Sequence, residues 1–255
     1  MKKRLALFLP IILGFCLLRA QVAVPDWALP GSATHKQVPP PAGFHRTTRT
    51  ENVPIGIFSG QSDVGAALVP GASSYNKAKG EYTIVSAGYN VWYQRDEFRY
   101  LWKKMSGDVS LAADVRFPDT AGYDDRKAIL IIRQSLDDDS KEAMVALHGG
   151  GLMHLAYRTE KGEMMKEVRV NHRNGHGATA PADTLNVGLA KRIAIQKKGD
   201  VFTVLISMKG EPLHAVSEPV TLHIDGPFYA GIGFCSHLPA KTDATILSNV
   251  LMTTK

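Results

Sequence analysis

Several groups of residues in this 255-residue chain have types and spacings that could do chemistry. His172 and His176 stand four apart, a metal-ligating interval on a helix. Asn174 and Gly175 argue against that helix, and the glutamate of a zinc hydrolase is missing, so the pair reads as a surface loop. His148-Gly149-Gly150-Gly151 imitates a lipase oxyanion loop, but the chain has no Gly-x-Ser-x-Gly nucleophile elbow. A glycine-rich hairpin turn accounts for the same residues. Asp96-Glu97, Asp124-Asp125 and Asp137-Asp138-Asp139 are adjacent acids, which on a strand point to opposite faces. All three lie beside turn residues, so solvated loop charge is the expectation. Calcium could be held around Asp137–Asp139 by side chains and carbonyls, a structural ion and the one cofactor the sequence suggests.

The remaining group is a polar set inside apolar runs. Between 127 and 133, alternation puts Lys127, Ile129, Ile131 and Arg133 on one face; between 143 and 148 it does so for Met144, Ala146 and His148. If the three glycines form the hairpin loop, His148 opposes Leu152, so His154 and Arg158 join that face. With Trp92 and Tyr100 nearby in sequence, such an array could bind a sugar by stacking and hydrogen bonds. An ordinary solvent face with long side chains over apolar stems is the plainer alternative.

The elements that must position these residues read as short strands. Apolar alternation recurs in runs near 55–58, 82–86, 90–94, 98–105, 109–117, 128–134, 143–148, 153–159 and 167–170, then 191–197, 201–208, 212–216, 229–236 and 244–253. The separators are turn chemistry, such as Ser106-Gly107-Asp108, Lys198-Gly199-Asp200 and Lys209-Gly210-Glu211. Helical signals are nearly absent, and so many strands call for two packed antiparallel sheets. Residues 21–54 carry Pro25, Pro30, Pro39, Pro40, Pro41 and Pro54 without periodicity, which fits a linker or an arm laid over the domain.

Composition narrows the setting. At 44% hydrophobic and 21% charged the chain is neither disordered nor a multi-span membrane protein. Residues 1–20 read as a signal peptide, with Lys2-Lys3-Arg4 before an apolar run to Leu18 and cleavage after Ala20 or Ala23. Cys16 is no lipobox cysteine, since Phe15 precedes it. Removing the four basic residues of that segment lowers the formal charge from +6 to +2, and the remaining Lys and Arg are scattered. Nucleic acid is therefore not an expected partner, nor is a membrane once the signal is cleaved. Cys235 is then alone and cannot form an intrachain disulfide; it reads as a buried strand residue.

Three segments in order resemble the concanavalin A-like, laminin G-like jelly-roll domains of secreted bacterial proteins. The first is Gly88-Tyr-Asn-Val-Trp92 through Tyr100, followed by Ser106-Gly107-Asp108-Val109 and Val115-Arg116-Phe117. The second is Lys127-Ala-Ile-Leu-Ile-Ile-Arg133-Gln-Ser135-Leu136-Asp137, similar to "Lys-Ala-Gly-x-Met-x-Arg-x-Ser-Leu-Asp". The third runs from Lys191-Arg192-Ile193 through Gly199-Asp200, Phe202 and Ser207 to Tyr229-Ala-Gly231-Ile-Gly233, Ser236-His237 and Asn249-Val250. The first half is also similar to domains that precede TolB-like propellers. Asn90 departs from the pattern at a position where an acid is common, and so does Met208-Lys209-Gly210, where the pattern has an Asp before the Gly.

The resemblance implies an all-β, two-sheet antiparallel jelly-roll sandwich over 55–255, and carbohydrate binding or processing. A glucanase on such a fold should show Glu-x-Asp-x-x-Glu along one strand, and no such run occurs. The expectation is thus an exported, periplasmic or secreted, non-catalytic carbohydrate-binding or adhesive module. It would take an acidic or hydroxyl-rich glycan through Trp92, Arg99, Lys127, Arg133, His148 and Arg158. The alternatives are a divergent glycoside hydrolase or lyase using His148 with Tyr93, Tyr100 or Asp96, and an interaction domain that docks an envelope protein by a sheet face or the arm.

Overall fold

A computed structural model describes residues 43–170 and 190–254. The His172/His176 pair and the signal segment lie outside the described residues. In chain order the strands are β1 (Arg49–Glu51), β2 (Gly60–Val64), β3 (Ala72–Asn76), β4 (Glu81–Ser86), β5 (Val91–Trp92), β6 (Arg95–Asp96), β7 (Phe98–Met105), β8 (Val109–Arg116) and β9 (Lys127–Arg133). Then come β10 (Glu142–His148), β11 (Met153–Arg158), β12 (Lys166–Arg169), β13 (Arg192–Lys198), β14 (Val201–Ser207), β15 (His214–Ala215), β16 (Val220–Thr221), β17 (Phe228–Cys235) and β18 (Asp243–Thr254).

Two antiparallel sheets carry nearly all of them. The larger runs β1-β2-β7-β17-β9-β10-β11-β12, and the smaller β15-β14-β13-β8-β18-β4-β3, with β16 on β14. The chain is the two-sheet antiparallel sandwich expected. The inner faces meet in one apolar core: Leu101, Leu130, Ile132, Val145, Leu155 and Ile232 from the larger sheet, Ile84, Leu111, Ile193, Val204 and Leu247 from the smaller. Each such side chain contributes about 1.5–3 kcal/mol by leaving water.

Some expected elements moved. The run at 55–58 is a single bridge between Ile55 and Phe58, and the strand follows at β2, whose residues Gly60-Gln-Ser-Asp-Val are mostly polar yet all buried. Strand β1 pairs with β2 from within the 21–54 stretch. The run at 90–94 folds back as the hairpin β5–β6, turning through Tyr93 at φ 56°.

This hairpin decides what the outer face of the larger sheet can do. Phe98, Tyr100, Trp102, Ile129, Ile131, Met144, Ala146 and Ala156 point outward yet are buried, forming a second core with Val91 and Met165. A sheet face that sequence alternation would leave to solvent is roofed. The hairpin is seated at Gly88, where an added Cβ would stand 1.7 Å from the Glu97 carbonyl oxygen. Cys235, buried as expected, points its thiol at the Gly88 carbonyl oxygen, 3.0 Å away, and burial pushes that thiol up to about 12. Gly88→Ala is expected to cost about 1–3 kcal/mol through this backbone clash, read as a lower urea midpoint. An unchanged midpoint would mean the hairpin does not depend on that seat.

Candidate functional site

The hairpin is locked by four ionisable side chains, each 0% exposed. Arg158 grips Asp96 with two nitrogens at 2.9 and 3.1 Å, and Arg133 reaches the same carboxylate at 3.2 Å. Glu142 lies 3.3 Å from Arg133 and 3.5 Å from Arg158. Arg158 also donates to the carbonyls of Ser140 and Glu163, at 2.7 and 3.0 Å, and Arg133 to that of Ser135 at 3.0 Å. Burial, then the charge of Asp96, pushes the Glu142 carboxyl up to about 8.

The expectation of solvated loop acids fails for Asp96, Glu97, Asp138 and Asp139, which are all buried. Their charge is tolerated because cations from distant segments reach them. Glu97 takes Arg46 at 2.6 Å, and Asp138 takes Arg95 at 3.4 Å and His45 at 2.9 Å. Asp124 and Asp137 are exposed and Asp125 is half-buried, as a loop would have them.

The register of the central strands is the one the glycine loop implied: His148 N–H bonds Leu152, Ala146 faces His154 and Glu142 faces Arg158. Lys127, Arg133, His148, His154 and Arg158 therefore share the outer face. Arg99 does not. It pairs with Phe234, which pairs with Ala128, so it faces away from Lys127 and spends its guanidinium on Gln61 (2.7 Å), Glu51 (3.1 Å) and Asp63 (3.4 Å). At the start of β9, Lys127 bonds the side-chain oxygen of Asn90, and the indole of Trp92 stacks on His154 at 5.1 Å.

Where β1 passes the loop after β9, an open groove of about 520 Å³ remains, lined by His45, Arg46, Thr47, Thr48, Thr50, Leu136, Asp137, Asp138, Asp139 and Lys161. Thr48 donates to the Leu136 carbonyl at 2.6 Å, and Thr50 lies 3.0 Å from Ser62. Lys161 bonds Asp137 at 2.7 Å and also Asp139; its ammonium holds the Asp137 carboxyl below the usual range. His45, Asp138 and Asp139 bring ligand atoms within 4.8 Å of one another. The cations of this loop are already side chains, however, and a calcium ion at Asp137–Asp139 would have to displace Lys161. Apart from the three aspartates, sequence reasoning missed the groove, because its other wall comes from the aperiodic stretch before Pro54.

No protein-family model and no curated protein matches the chain. Among solved structures it is similar to a functionally unknown protein from Saccharomyces cerevisiae, at 11% identity over 72% of this chain and 92% of that one, with a TM-score of 0.49. It is also similar to the alginate lyase from Klebsiella pneumoniae, at 13% identity over 72% and 84%, TM-score 0.42. The carbohydrate-binding module CBM66 from Bacillus subtilis aligns at 14% identity over 72% and 92%, TM-score 0.38.

Proposed function

We propose that this domain is an exported glycan-binding module that holds its ligand in the groove without cleaving it. The observation that carries the reading is the groove's wall: threonine hydroxyls, carboxylates, an imidazole and an ammonium, with Leu136 as its apolar member, around about 520 Å³. That volume falls in the range of small-ligand pockets, and the wall offers donors and acceptors in the mixture that a hydroxyl-rich ligand returns.

Non-catalytic binding is favoured because two of the three partners that a hydrolase or lyase would recruit around His148 are sealed. Asp96 and Tyr100 are both 0% exposed, and the Tyr100 hydroxyl is committed to the Ile131 carbonyl at 3.3 Å. Neither can touch a polysaccharide while the hairpin is in place. Of the residues singled out from sequence, Arg133 and Arg158 serve to hold that hairpin down.

The test is a panel of oligosaccharides monitored by thermal shift, with mass spectrometry for products. A cognate sugar at a hundred times its Kd should raise the melting temperature by about 5–10 °C and remain intact. Asp137→Ala combined with Thr50→Val should weaken that sugar about tenfold by removing two groove contacts. Cleaved sugar, or binding indifferent to both changes, would overturn the reading.

A further inference from the structure

The open groove holds two carboxylates with one removable cation between them, and that sets the charge of the sugar it can take. Asp137 and Asp139 both bond the Lys161 ammonium, which is the only ion-pair partner of either among the described residues. The neighbouring cations are spent elsewhere: Arg46 on Glu97, Arg95 on Asp138, and Arg133 and Arg158 on Asp96. Arg133 meets Asp137 at its backbone carbonyl, at 2.5 Å, and not at its carboxylate. With Lys161 swung aside, the groove would present two carboxylates that no other described side chain neutralises.

The frame around this pair is fixed, and the lysine is not. The Asp138 carbonyl accepts the Asp96 N–H at 2.6 Å, the Asp137 carbonyl that of Ser140 at 3.3 Å, and the Asp139 carbonyl that of Gly162 at 2.9 Å. Gly162 makes its turn at φ 77°, which sets Lys161 against the loop. The Asp139 side chain is 12% exposed and that of Lys161 57%. An ion pair to so exposed a lysine adds little to stability, so the ammonium can leave at small cost. The cradle is preformed and its present occupant is a tethered one.

The chemistry of that occupant describes what can replace it. A sugar ammonium brings the same charge and a similar set of N–H donors. A calcium ion asks for six to eight oxygens, and those of Asp138 already take His45 Nδ1 at 2.9 Å, the Arg46 N–H at 3.2 Å and Arg95 at 3.4 Å. An acidic sugar would set its own carboxylate against Asp137 and Asp139. Resting on the reading of the groove as a glycan site, we propose that its ligand is an amino sugar, whose ammonium displaces that of Lys161 between Asp137 and Asp139. Thr50 and His45, on the opposite wall, are then left for ring hydroxyls.

The test compares matched oligomers of glucosamine and of N-acetylglucosamine by isothermal titration calorimetry, in mildly acidic buffer where the sugar amines are protonated and the aspartates stay ionised. The glucosamine oligomer is expected to bind about tenfold or more tightly than its acetylated match, because acetylation removes the charge and two N–H donors. Asp139→Asn should lose that preference. Lys161→Met keeps the stem but removes the tethered competitor, and should widen the preference by about tenfold. Lys161 is exposed, so this variant keeps the test decisive if the asparagine variant fails to fold. Suppose a neutral sugar binds and is lost in the Asp137→Ala, Thr50→Val variant, while the amine gives no advantage: the ammonium site is then overturned and the groove reading stands. No sugar bound at all would overturn both. A preference that narrows in Lys161→Met would overturn the displacement, by making the lysine a ligand contact. An oligolysine that binds as tightly as the glucosamine oligomer would overturn the amino sugar, by reducing the cradle to charge attraction.

Discussion

Asp96→Ala is expected to remove about 3–5 kcal/mol of folding stability, because it strands two buried guanidiniums. Arg133 and Arg158 are both 0% exposed and both reach Asp96, at 3.2 and 2.9 Å. Glu142 can neutralise one of them and not both. Water cannot solvate the other without lifting the hairpin β5–β6, which would uncover Phe98, Tyr100 and Ile129 beneath it. The loss should therefore come with increased binding of an apolar dye, a signal that a local loop defect does not produce. The comparison is Asp114→Ala, which removes an equally short pair with Arg192 at 2.7 Å whose side chains are 17% and 22% exposed; that change should cost about 0–1 kcal/mol. Replacing Asp96, Arg133, Arg158 and Glu142 together with apolar residues of matching size should recover much of the loss, since the cost of burying their charges goes with them. If Asp96→Ala unfolds at the same urea concentration as Asp114→Ala, the quartet does not hold the hairpin.

The same quartet shows what the amino-acid pattern can and cannot disclose. Alternation is a local property, so the face shared by Lys127, Ile129, Ile131 and Arg133 was readable. The triple glycine set the register that brought His148, His154 and Arg158 to it. Arg99 was not readable in this way. Its side relative to Lys127 is fixed through Phe234 of β17, more than a hundred residues away in sequence, and no local pattern carries that register. Asp96, Asp138 and Asp139 look like loop charge because their burial depends on Arg133, Arg158, Arg95 and Lys161, partners 22 to 62 residues distant. Strand β2 was missed for a related reason: Gln61, Ser62 and Asp63 give no apolar alternation, yet Arg99, the Trp102 indole nitrogen and Gly71 satisfy them in the interior. The site suffered most, because the roof over the sheet is a tertiary event: a short hairpin bearing Val91 and the loop bearing Met165 converge on a face that strand alternation alone would assign to solvent.

Raising the pH should weaken the fold through Glu142, and Glu142→Gln should relieve the loss. Burial and the neighbouring Asp96 charge raise this carboxyl from its ordinary 4.5 to about 8 in the folded chain. Below pH about 4.5 the carboxyl is protonated whether the chain is folded or not, and its contribution is fully present. Between about 4.5 and 8 the folded chain keeps a proton that the unfolded chain gives up, so stability falls as the pH rises. Above about 8 both states have lost it and the decline stops. His148 acts in the opposite sense: its pKa is lowered in the fold, so stability is lost as the pH falls below the ordinary histidine value of 6.5. The two trends partly cancel in the parent protein, and the difference between variant and parent separates them. Urea unfolding at pH 5 and at pH 8.5 should find the glutamine variant gaining on the parent at the higher pH, since the amide fills the same space without a charge to bury. Curves that stay parallel across that range would mean Glu142 carries its charge in the fold at pH 5 already, with the two arginines compensating it fully.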